Sequence, residues 1–249
     1  MTLRALLFDL WGTLLYVDHP EGIGKRRRQA NAGRVMQALR EVGHPQPEAA
    51  VLAAFDADAG MMDVLYEQGR DHSVLERLEQ LLDLVQPGLA GDITPDAMER
   101  VEEIVVWAVR ENPPYAAPGA QAALSEARER AFSIGLVSNT GMTPGYVLRE
   151  ILGEQGLLEY LEATTFSNEA RLVKPTEAVY TCTLEVLGVD AREAAFIGDS
   201  PGPDIAAPQK LGMTAVQIGD REQAGVTPDA RLETLDELFP ALRTLGLVD

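Results

Sequence analysis

Short apolar runs bounded by turn residues recur along the chain, and they constrain its fold more than any other feature. The runs lie at residues 3–10, 132–137, 163–166, 194–197 and 214–218. Each is too short for a typical helix, and most carry no charge before their C-terminal end. This pattern is typical of strands that are buried on both faces of a parallel sheet. The runs therefore predict a central parallel β-sheet.

Helical periodicity fills the segments between these runs. It covers residues 119–131, 144–153, 176–187 and 205–211, and a final helix is expected around residues 235–245. Strands that alternate with helices in this way favour a sheet with helices on both faces. The predicted fold class is α/β, with a doubly wound, Rossmann-like parallel sheet as its core.

Residues 17–114 interrupt this alternation. They contain no convincing strand and four helix-like segments, at 24–42, 47–67, 74–85 and 95–111. The last segment begins with Thr94 as a capping residue and Pro95 at the first helical position. A helical block inserted after the first strand would cover the carboxyl edge of the sheet, where α/β proteins bind ligands. We therefore expect a core of residues 1–16 and 115–249, and a four-helix cap of residues 17–114.

The net charge narrows the range of partners. The 249 residues include 21 basic and 39 acidic side chains, which gives a formal net charge of −18. Such a field repels nucleic acids and anionic lipid surfaces at long range, so neither is an expected partner. A small anionic metabolite remains compatible, because a lysine and a metal ion can reverse the local sign inside a cleft. The sequence leaves the oligomeric state open.

Two further expectations concern location and the single cysteine. The N-terminus lacks the apolar core of a signal peptide, and no segment is long enough to span a bilayer. We therefore expect a cytoplasmic protein. Cys182 lies in a segment with helical periodicity, and we predict a buried structural thiol.

Polar residues follow three of the predicted strands at the point where each strand ends, and another polar pair precedes a helix. In chain order these segments are DLWGT at 9–13, SN at 138–139, KP at 174–175 and GDSPGPD at 198–204. Each taken singly is compatible with an ordinary turn or surface loop. Because the carboxyl ends of parallel strands share one edge of a sheet, the four together predict a single site.

This arrangement resembles the haloacid dehalogenase superfamily, and the resemblance extends over the whole chain, including the helical insertion. The combination of four motifs is highly specific for the superfamily and says little about the substrate. The resemblance implies a Rossmann-like core with a four-helix cap inserted directly after the first motif. It also implies Mg²⁺ as a cofactor, as in most members.

The resemblance assigns catalytic and metal-binding roles to five positions. Asp9 would be the nucleophile, which in the phosphatase members becomes an aspartyl-phosphate that water hydrolyses. Lys174 would pair with Asp9 and with the charge that develops on the transferred group. Mg²⁺ would contact Asp9, the main-chain carbonyl of Trp11 and Asp199, a set of oxygen ligands suited to that ion. Asp204 would orient this shell or hold a metal-bound water.

The same resemblance implies a set of contacts to the phosphate group. These would come from Gly12, Thr13, Ser138, Asn139 and Lys174. The Ser138 hydroxyl and nearby backbone N–H groups would hold the outer oxygens. Gly12 would permit the tight bend that brings the amides close to the substrate.

Trp11 departs from the phosphatase pattern. In that branch the position holds a second aspartate, which acts as general acid and base, and such proton transfer is worth roughly 10²–10⁴-fold in rate. The dehalogenase branch has an aromatic residue there, but it lacks the metal and has an asparagine-containing fourth motif. Here the fourth motif is acidic, with Asp199 and Asp204, and carboxylates this close to Asp9 would be costly without a cation between them.

Three hypotheses follow in order of preference. The first is Mg²⁺-dependent, phosphatase-type hydrolysis of a small phosphorylated metabolite. The second is 2-haloacid dehalogenase-like hydrolysis, and the third is a slow or inactive member of the fold that serves binding or regulation. His19 could replace the missing acid, since the pKa of histidine lies near neutral, although an exposed loop histidine without a role is the alternative.

Overall fold

The computed structural model describes residues 3–17 and 23–249, without the side chains of residues 23–28. Its strands are β1 (Ala5–Phe8), β2 (Leu15–Tyr16), β3 (Tyr115–Ala116), β4 (Ser133–Ser138), β5 (Ala163–Phe166), β6 (Ala194–Gly198), β7 (Thr214–Ile218) and β8 (Ala230–Leu232). The α-helices are α1 (Ile23–Glu41), α2 (Glu48–Glu67), α3 (Val74–Val85), α4 (Leu89–Asp92), α5 (Pro95–Val106), α6 (Ala120–Glu129), α7 (Gly145–Glu154), α8 (Ser167–Ala170), α9 (Glu177–Leu187), α10 (Ala207–Leu211) and α11 (Leu238–Thr244).

Six strands form one parallel sheet in the order β5-β4-β1-β6-β7-β8. The chain moves outward from β1 in one direction through β4 and β5, and then returns to the other side of β1 through β6. This reversal creates a crevice at the carboxyl ends of the central strands, as in Rossmann-like folds. All five predicted strands are present, and β8 extends the sheet beyond them.

Helices cover both faces of the sheet. Leu6 and Phe8 of β1 belong to a hydrophobic cluster with α6, α7 and α11, while Ala5 and Leu7 belong to another with α9. Alternate residues of one strand thus enter opposite apolar layers, which explains why the strand carries no polar alternation. The predicted fold class, a doubly wound α/β sheet with an inserted helical domain, is confirmed.

The inserted helices α1 to α5, which we call the helical insertion, lie between β2 and β3. They have a hydrophobic cluster of their own, drawn from residues between Ala32 and Val105. The predicted fourth helix ends at Val106 and continues as a 3₁₀ turn to Glu111. The antiparallel pair β2–β3 joins the two ends of the insertion through Leu15 and Ala116.

The prediction of a buried Cys182 is wrong. Helix α9 buries Val179, Tyr180, Thr183 and Leu184, so Cys182 lies on the opposite side and is exposed. Because apolar residues occur all around this helix, its sequence does not indicate which side faces the core. None of the helices in the described ranges is long and apolar enough to cross a bilayer.

Candidate active site

The predicted motifs meet in a cavity of about 420 Å³ at the carboxyl edge of the sheet. Asp9 directly follows β1, Asn139 follows β4 and Asp199 follows β6. These three strands are neighbours, with β1 in the centre, so the three side chains share the crevice where the strand order reverses. Lys174 reaches the same cavity from the loop that precedes α9.

A buried lysine joins two of the carboxylates. Lys174 Nζ donates to Asp9 Oδ1 at 2.6 Å and to Asp204 Oδ1 at 2.7 Å. All three residues are nearly inaccessible, at 5%, 6% and 1% exposure respectively. The Ser200 N–H donates to the other oxygen of Asp204 at 2.9 Å. Lys174 is therefore a fixed point charge beside the predicted nucleophile.

Burial and charge set the protonation states of this group. Burial raises the pKa of Asp9 to about 7, although Lys174 lowers it, and Asp204 and Asp199 raise it further. For Lys174, burial alone would lower the pKa, but the two carboxylates outweigh it and the pKa is raised. The ammonium group therefore stays charged, while Asp9 needs more positive charge to be fully ionised at neutral pH.

The carboxylates fit a hard divalent cation. Asp9, Asp199 and Asp204 each offer an oxygen, and these three atoms lie within 4.8 Å of one another. Oxygen donors at this spacing are what Mg²⁺ prefers in proteins. Both oxygens of Asp204 accept hydrogen bonds, from Lys174 and Ser200, and its side chain is 1% exposed, whereas the side chain of Asp199 is 14% exposed, so Asp199 is the more accessible of the two.

Two glycines allow the carboxylates to approach so closely. Gly12 has a φ of +77°, and a Cβ atom there would lie 2.7 Å from Asp199 Oδ2. A Cβ atom on Gly198 would lie 2.4 Å from Asp204 Cβ. Real side chains do not tolerate such distances, so the first and fourth motifs require glycine at these positions.

The π-helical turn Pro201–Ala206 places Asp204. It precedes α10. The helix predicted at 205–211 therefore begins earlier, at Pro201, and its first part is a π-helix rather than an α-helix. The Asp204 N–H donates to Ser200 O, and the Tyr180 hydroxyl donates to Pro203 O. Single π-helical turns are frequent at functional sites.

The predicted phosphate-binding residues divide into two groups. Gly12, Asn139 and Lys174 line the cavity. Ser138 and Thr13 are fully buried and do not line it. The Ser138 hydroxyl donates to Asn139 O at 3.4 Å, and Thr13 Oγ1 has no hydrogen-bond partner among the described residues.

Trp11 lines the cavity and is partly exposed, together with Tyr16 from β2. The aromatic side chain thus occupies the rim where the phosphatase pattern would place a carboxylic acid. Asp18 and His19, the latter our candidate for a substitute acid, lie outside the described residues.

Arg221 is a site residue that the sequence reasoning missed. It lies just after β7, and its NH1 donates to Asp199 Oδ2 at 2.9 Å and to Ser200 Oγ at 3.2 Å. A lone arginine in an irregular segment gives no periodic signal. Its place after a strand of the same sheet, at the same edge as Asp9, is the clue that could have found it.

Asp71, from the loop between α2 and α3, ties the helical insertion to the core and was also missed. It is 2% exposed and accepts a hydrogen bond from Ser167 Oγ at 2.6 Å. Ser167 Oγ in turn accepts from the Thr140 N–H at 3.0 Å, one residue beyond Asn139. Burial raises the pKa of Asp71, against the hydrogen bonds from Ser167 and His72.

Known proteins resemble this chain in sequence and in fold. A family model described as haloacid dehalogenase-like hydrolase matches residues 3–212. A phosphoserine phosphatase of Thermus thermophilus is 33% identical over 150 residues, which cover 58% of this chain and 59% of that protein. The match thus spans less than two thirds of the relative. A phosphoglycolate phosphatase of Yersinia pseudotuberculosis is 25% identical over 255 residues, covering 99% of this chain and 96% of the relative.

Among solved structures, a 2-haloacid dehalogenase of Pseudomonas syringae has a TM-score of 0.71 to this chain. The superposition covers 98% of this chain and all of the other, with 21% sequence identity. At that identity the likeness concerns the fold alone.

Proposed function

The chain belongs to the haloacid dehalogenase-like hydrolases, and from that premise we propose that it is a Mg²⁺-dependent phosphatase-type hydrolase. Its substrate would be a small phosphorylated metabolite, and its reaction would pass through a covalent intermediate on Asp9. The phosphoserine and phosphoglycolate phosphatases among its relatives have names that specify small phosphorylated metabolites.

The observation that carries the proposal is the crowding of three carboxylates around one buried lysine. Asp9, Asp199 and Asp204 lie within 4.8 Å of one another, and Lys174 is shared by two of them. Like charges this close are unfavourable in a buried setting without further positive charge. Lys174 places one positive charge between Asp9 and Asp204, and a divalent cation would supply the positive charge that this group of carboxylates still needs.

Asp9 would attack the phosphorus atom with a carboxylate oxygen, and the bond between phosphorus and the leaving oxygen would break. Water would then attack the phosphorus of the aspartyl-phosphate, releasing phosphate and restoring Asp9. Lys174, already 2.6 Å from Asp9, would stabilise the negative charge that develops on the transferred group. When bound, Mg²⁺ supplies Lewis-acid stabilisation of the phosphoryl oxygens.

Trp11 sets a condition on the substrate. Its indole N–H is not acidic enough to protonate the leaving oxygen, and such proton donation is worth roughly 10²–10⁴-fold in rate. The proposed reaction therefore favours phosphates whose leaving groups are acidic enough to depart without protonation. Rates across a series of aryl phosphates should rise steeply as the pKa of the leaving phenol falls.

A second candidate is 2-haloacid dehalogenation, which Trp11 favours. Halide needs no proton to leave, so an aromatic residue at the rim would cost nothing in that reaction. In this case Asp9 would form a carboxylic ester with the substrate carbon, and water would hydrolyse it.

Parallel assays separate the two reactions. We would measure phosphate release from p-nitrophenyl phosphate and small phosphate monoesters with Mg²⁺ or with EDTA, and halide release from 2-chloropropionate without metal. The proposal predicts phosphate release that EDTA abolishes and Mg²⁺ restores. If halide were released equally with and without EDTA, and no phosphate were released, the activity would instead be that of a dehalogenase. Turnover of neither substrate class would favour a binding or regulatory role.

A further inference from the structure

We propose that Arg221 and the divalent cation compete for the Asp199 carboxylate, so that this arginine lowers the affinity of the site for the cation. The inference rests on the proposed function for the presence of the cation. It concerns a residue outside the four motifs, on the turn that follows β7.

Both oxygens of Asp199 are engaged by protein donors. Oδ1 accepts from Ser200 Oγ at 2.9 Å, and Oδ2 accepts from Arg221 NH1 at 2.9 Å. Oδ2 is also the oxygen that faces the first motif, since a Cβ atom built on Gly12 would lie 2.7 Å from it. If Asp9 and Asp199 hold the cation, the oxygen of Asp199 that faces the first motif is the one that the guanidinium holds.

The two cations oppose each other electrostatically. The guanidinium is a cation and competes with the metal ion for the same carboxylate. Placed at hydrogen-bond distance from a shared ligand, it also repels a second cation by Coulomb interaction.

The structure holds the backbone of Arg221 but leaves its side chain free to exchange. Gln217, buried within β7, donates from Nε2 to Arg221 O at 2.7 Å, and Arg231 NH1 donates to the same oxygen at 3.3 Å. The Arg221 side chain itself is 65% exposed. Its turn is therefore fixed beside the cavity, while the guanidinium can leave Asp199 at little packing cost.

Isothermal titration of Mg²⁺ into the metal-free, full-length protein tests this inference without measuring activity. Arg221→Ala should bind Mg²⁺ about three- to tenfold more tightly than the wild type, because a charge pair with one exposed partner is worth a modest free energy. Arg221→Lys keeps the charge and should stay within about twofold of the wild type. Arg243→Ala, an exposed arginine on α11, removes the same charge elsewhere and should leave the affinity unchanged.

The outcomes distinguish the two proposals. If Arg221→Ala bound Mg²⁺ with the same affinity as the wild type or more weakly, the proposed competition for Asp199 would be wrong. The arginine would then have no effect on Mg²⁺ binding or would favour it. Tighter binding by both Arg221→Ala and Arg243→Ala would trace the effect to net charge and overturn it as well. Absence of Mg²⁺ binding in the wild type and in all variants would contradict the Mg²⁺-dependent function itself. Far-ultraviolet circular dichroism confirms that each variant is folded.

Discussion

Asn139 and Lys174 are joined by two hydrogen bonds of opposite direction. The Asn139 side-chain amide donates from Nδ2 to Lys174 O at 3.0 Å, and the Lys174 backbone N–H donates to Asn139 Oδ1 at 2.9 Å. The loop after β4 thus holds the backbone of the residue whose ammonium contacts Asp9. Asn139 positions the lysine in addition to lining the cavity.

Asn139→Ala should reduce kcat by about 10- to 100-fold, because a small misplacement of a catalytic group is costly. The free energy of unfolding should fall by about 1–3 kcal/mol, since the Lys174 N–H and carbonyl each lose their partner. Steady-state kinetics and urea denaturation measure the two effects. Asn112→Ala, at an exposed position, is the control and should change neither. Wild-type kcat in Asn139→Ala would rule out the positioning role.

Gly12→Ala should abolish Mg²⁺ binding and reduce activity by at least about 10²-fold. The new methyl group would lie 2.7 Å from Asp199 Oδ2 at a φ of +77°, so either the backbone or the carboxylate must move. Titration calorimetry and turnover measure the loss.

Gly60→Ala is the matched control for that substitution. Gly60 lies within α2 with open space around it, so alanine should raise the free energy of unfolding by about 0.5–1 kcal/mol and leave Mg²⁺ binding intact. If Gly12→Ala bound Mg²⁺ like the wild type, the close approach of the first and fourth motifs would not matter for the cation.

The raised pKa of Asp9 predicts a pH-dependent stability in the metal-free protein. Between the ordinary value of 3.8 and about 7, the folded state binds more protons at Asp9 than the unfolded state does. The contribution of Asp9 to the free energy of unfolding therefore falls as pH rises through this window. Asp9→Asn imitates the neutral form, so it should be more stable than the wild type at pH 8 by about 1–4 kcal/mol.

That difference should shrink as pH falls from about 7 towards 4, where wild-type Asp9 becomes protonated. Urea denaturation of both proteins in EDTA, across this range, measures it. A difference that stays constant with pH would mean that Asp9 has an ordinary pKa. For the same reason, kcat/KM should decline on the acidic side of its pH profile, because only the carboxylate is a nucleophile.

Asp71→Ala should destabilise the protein by about 2–4 kcal/mol, since it leaves a buried donor from Ser167 and a partly buried donor from His72 without their acceptor. Asp63→Ala, on the exposed side of α2, should change the free energy of unfolding by less than about 0.5 kcal/mol. Chemical denaturation monitored by tryptophan fluorescence compares them. If Asp71→Ala and Asp63→Ala had equal free energies of unfolding, the contact between the helical insertion and the core would contribute little to stability.

The sequence could predict those parts of the fold that depend on local periodicity. Five central strands and the long helices followed from apolar spacing, and the meeting of Asp9 and Asp199 followed from the shared edge of a parallel sheet. The place of Lys174 beside them followed from the resemblance to the family. The strands β2 and β8 were too short to give a pattern. The exposed side of α9 was misjudged because apolar residues occur on both of its sides.

Contacts that depend on loop geometry could not be predicted. Arg221 and Asp71 both lie in turns without periodicity, and each meets its partner only through the tertiary fold. Asp71 and Ser167 are 96 positions apart in the chain. No spacing rule connects such residues, even though their chemistry, a buried carboxylate and a hydroxyl, is ordinary once they are adjacent.

The most direct test of the central claim is to look for a phosphoryl group on Asp9. Wild-type protein mixed with p-nitrophenyl phosphate and Mg²⁺ would be quenched in acid during turnover, and the peptide containing residue 9 analysed by mass spectrometry. We predict the added mass of one phosphoryl group on Asp9, absent in EDTA and in Asp9→Asn. Phosphate release at the wild-type rate by Asp9→Asn, or turnover with an unmodified Asp9 peptide at every quench time, would contradict the account.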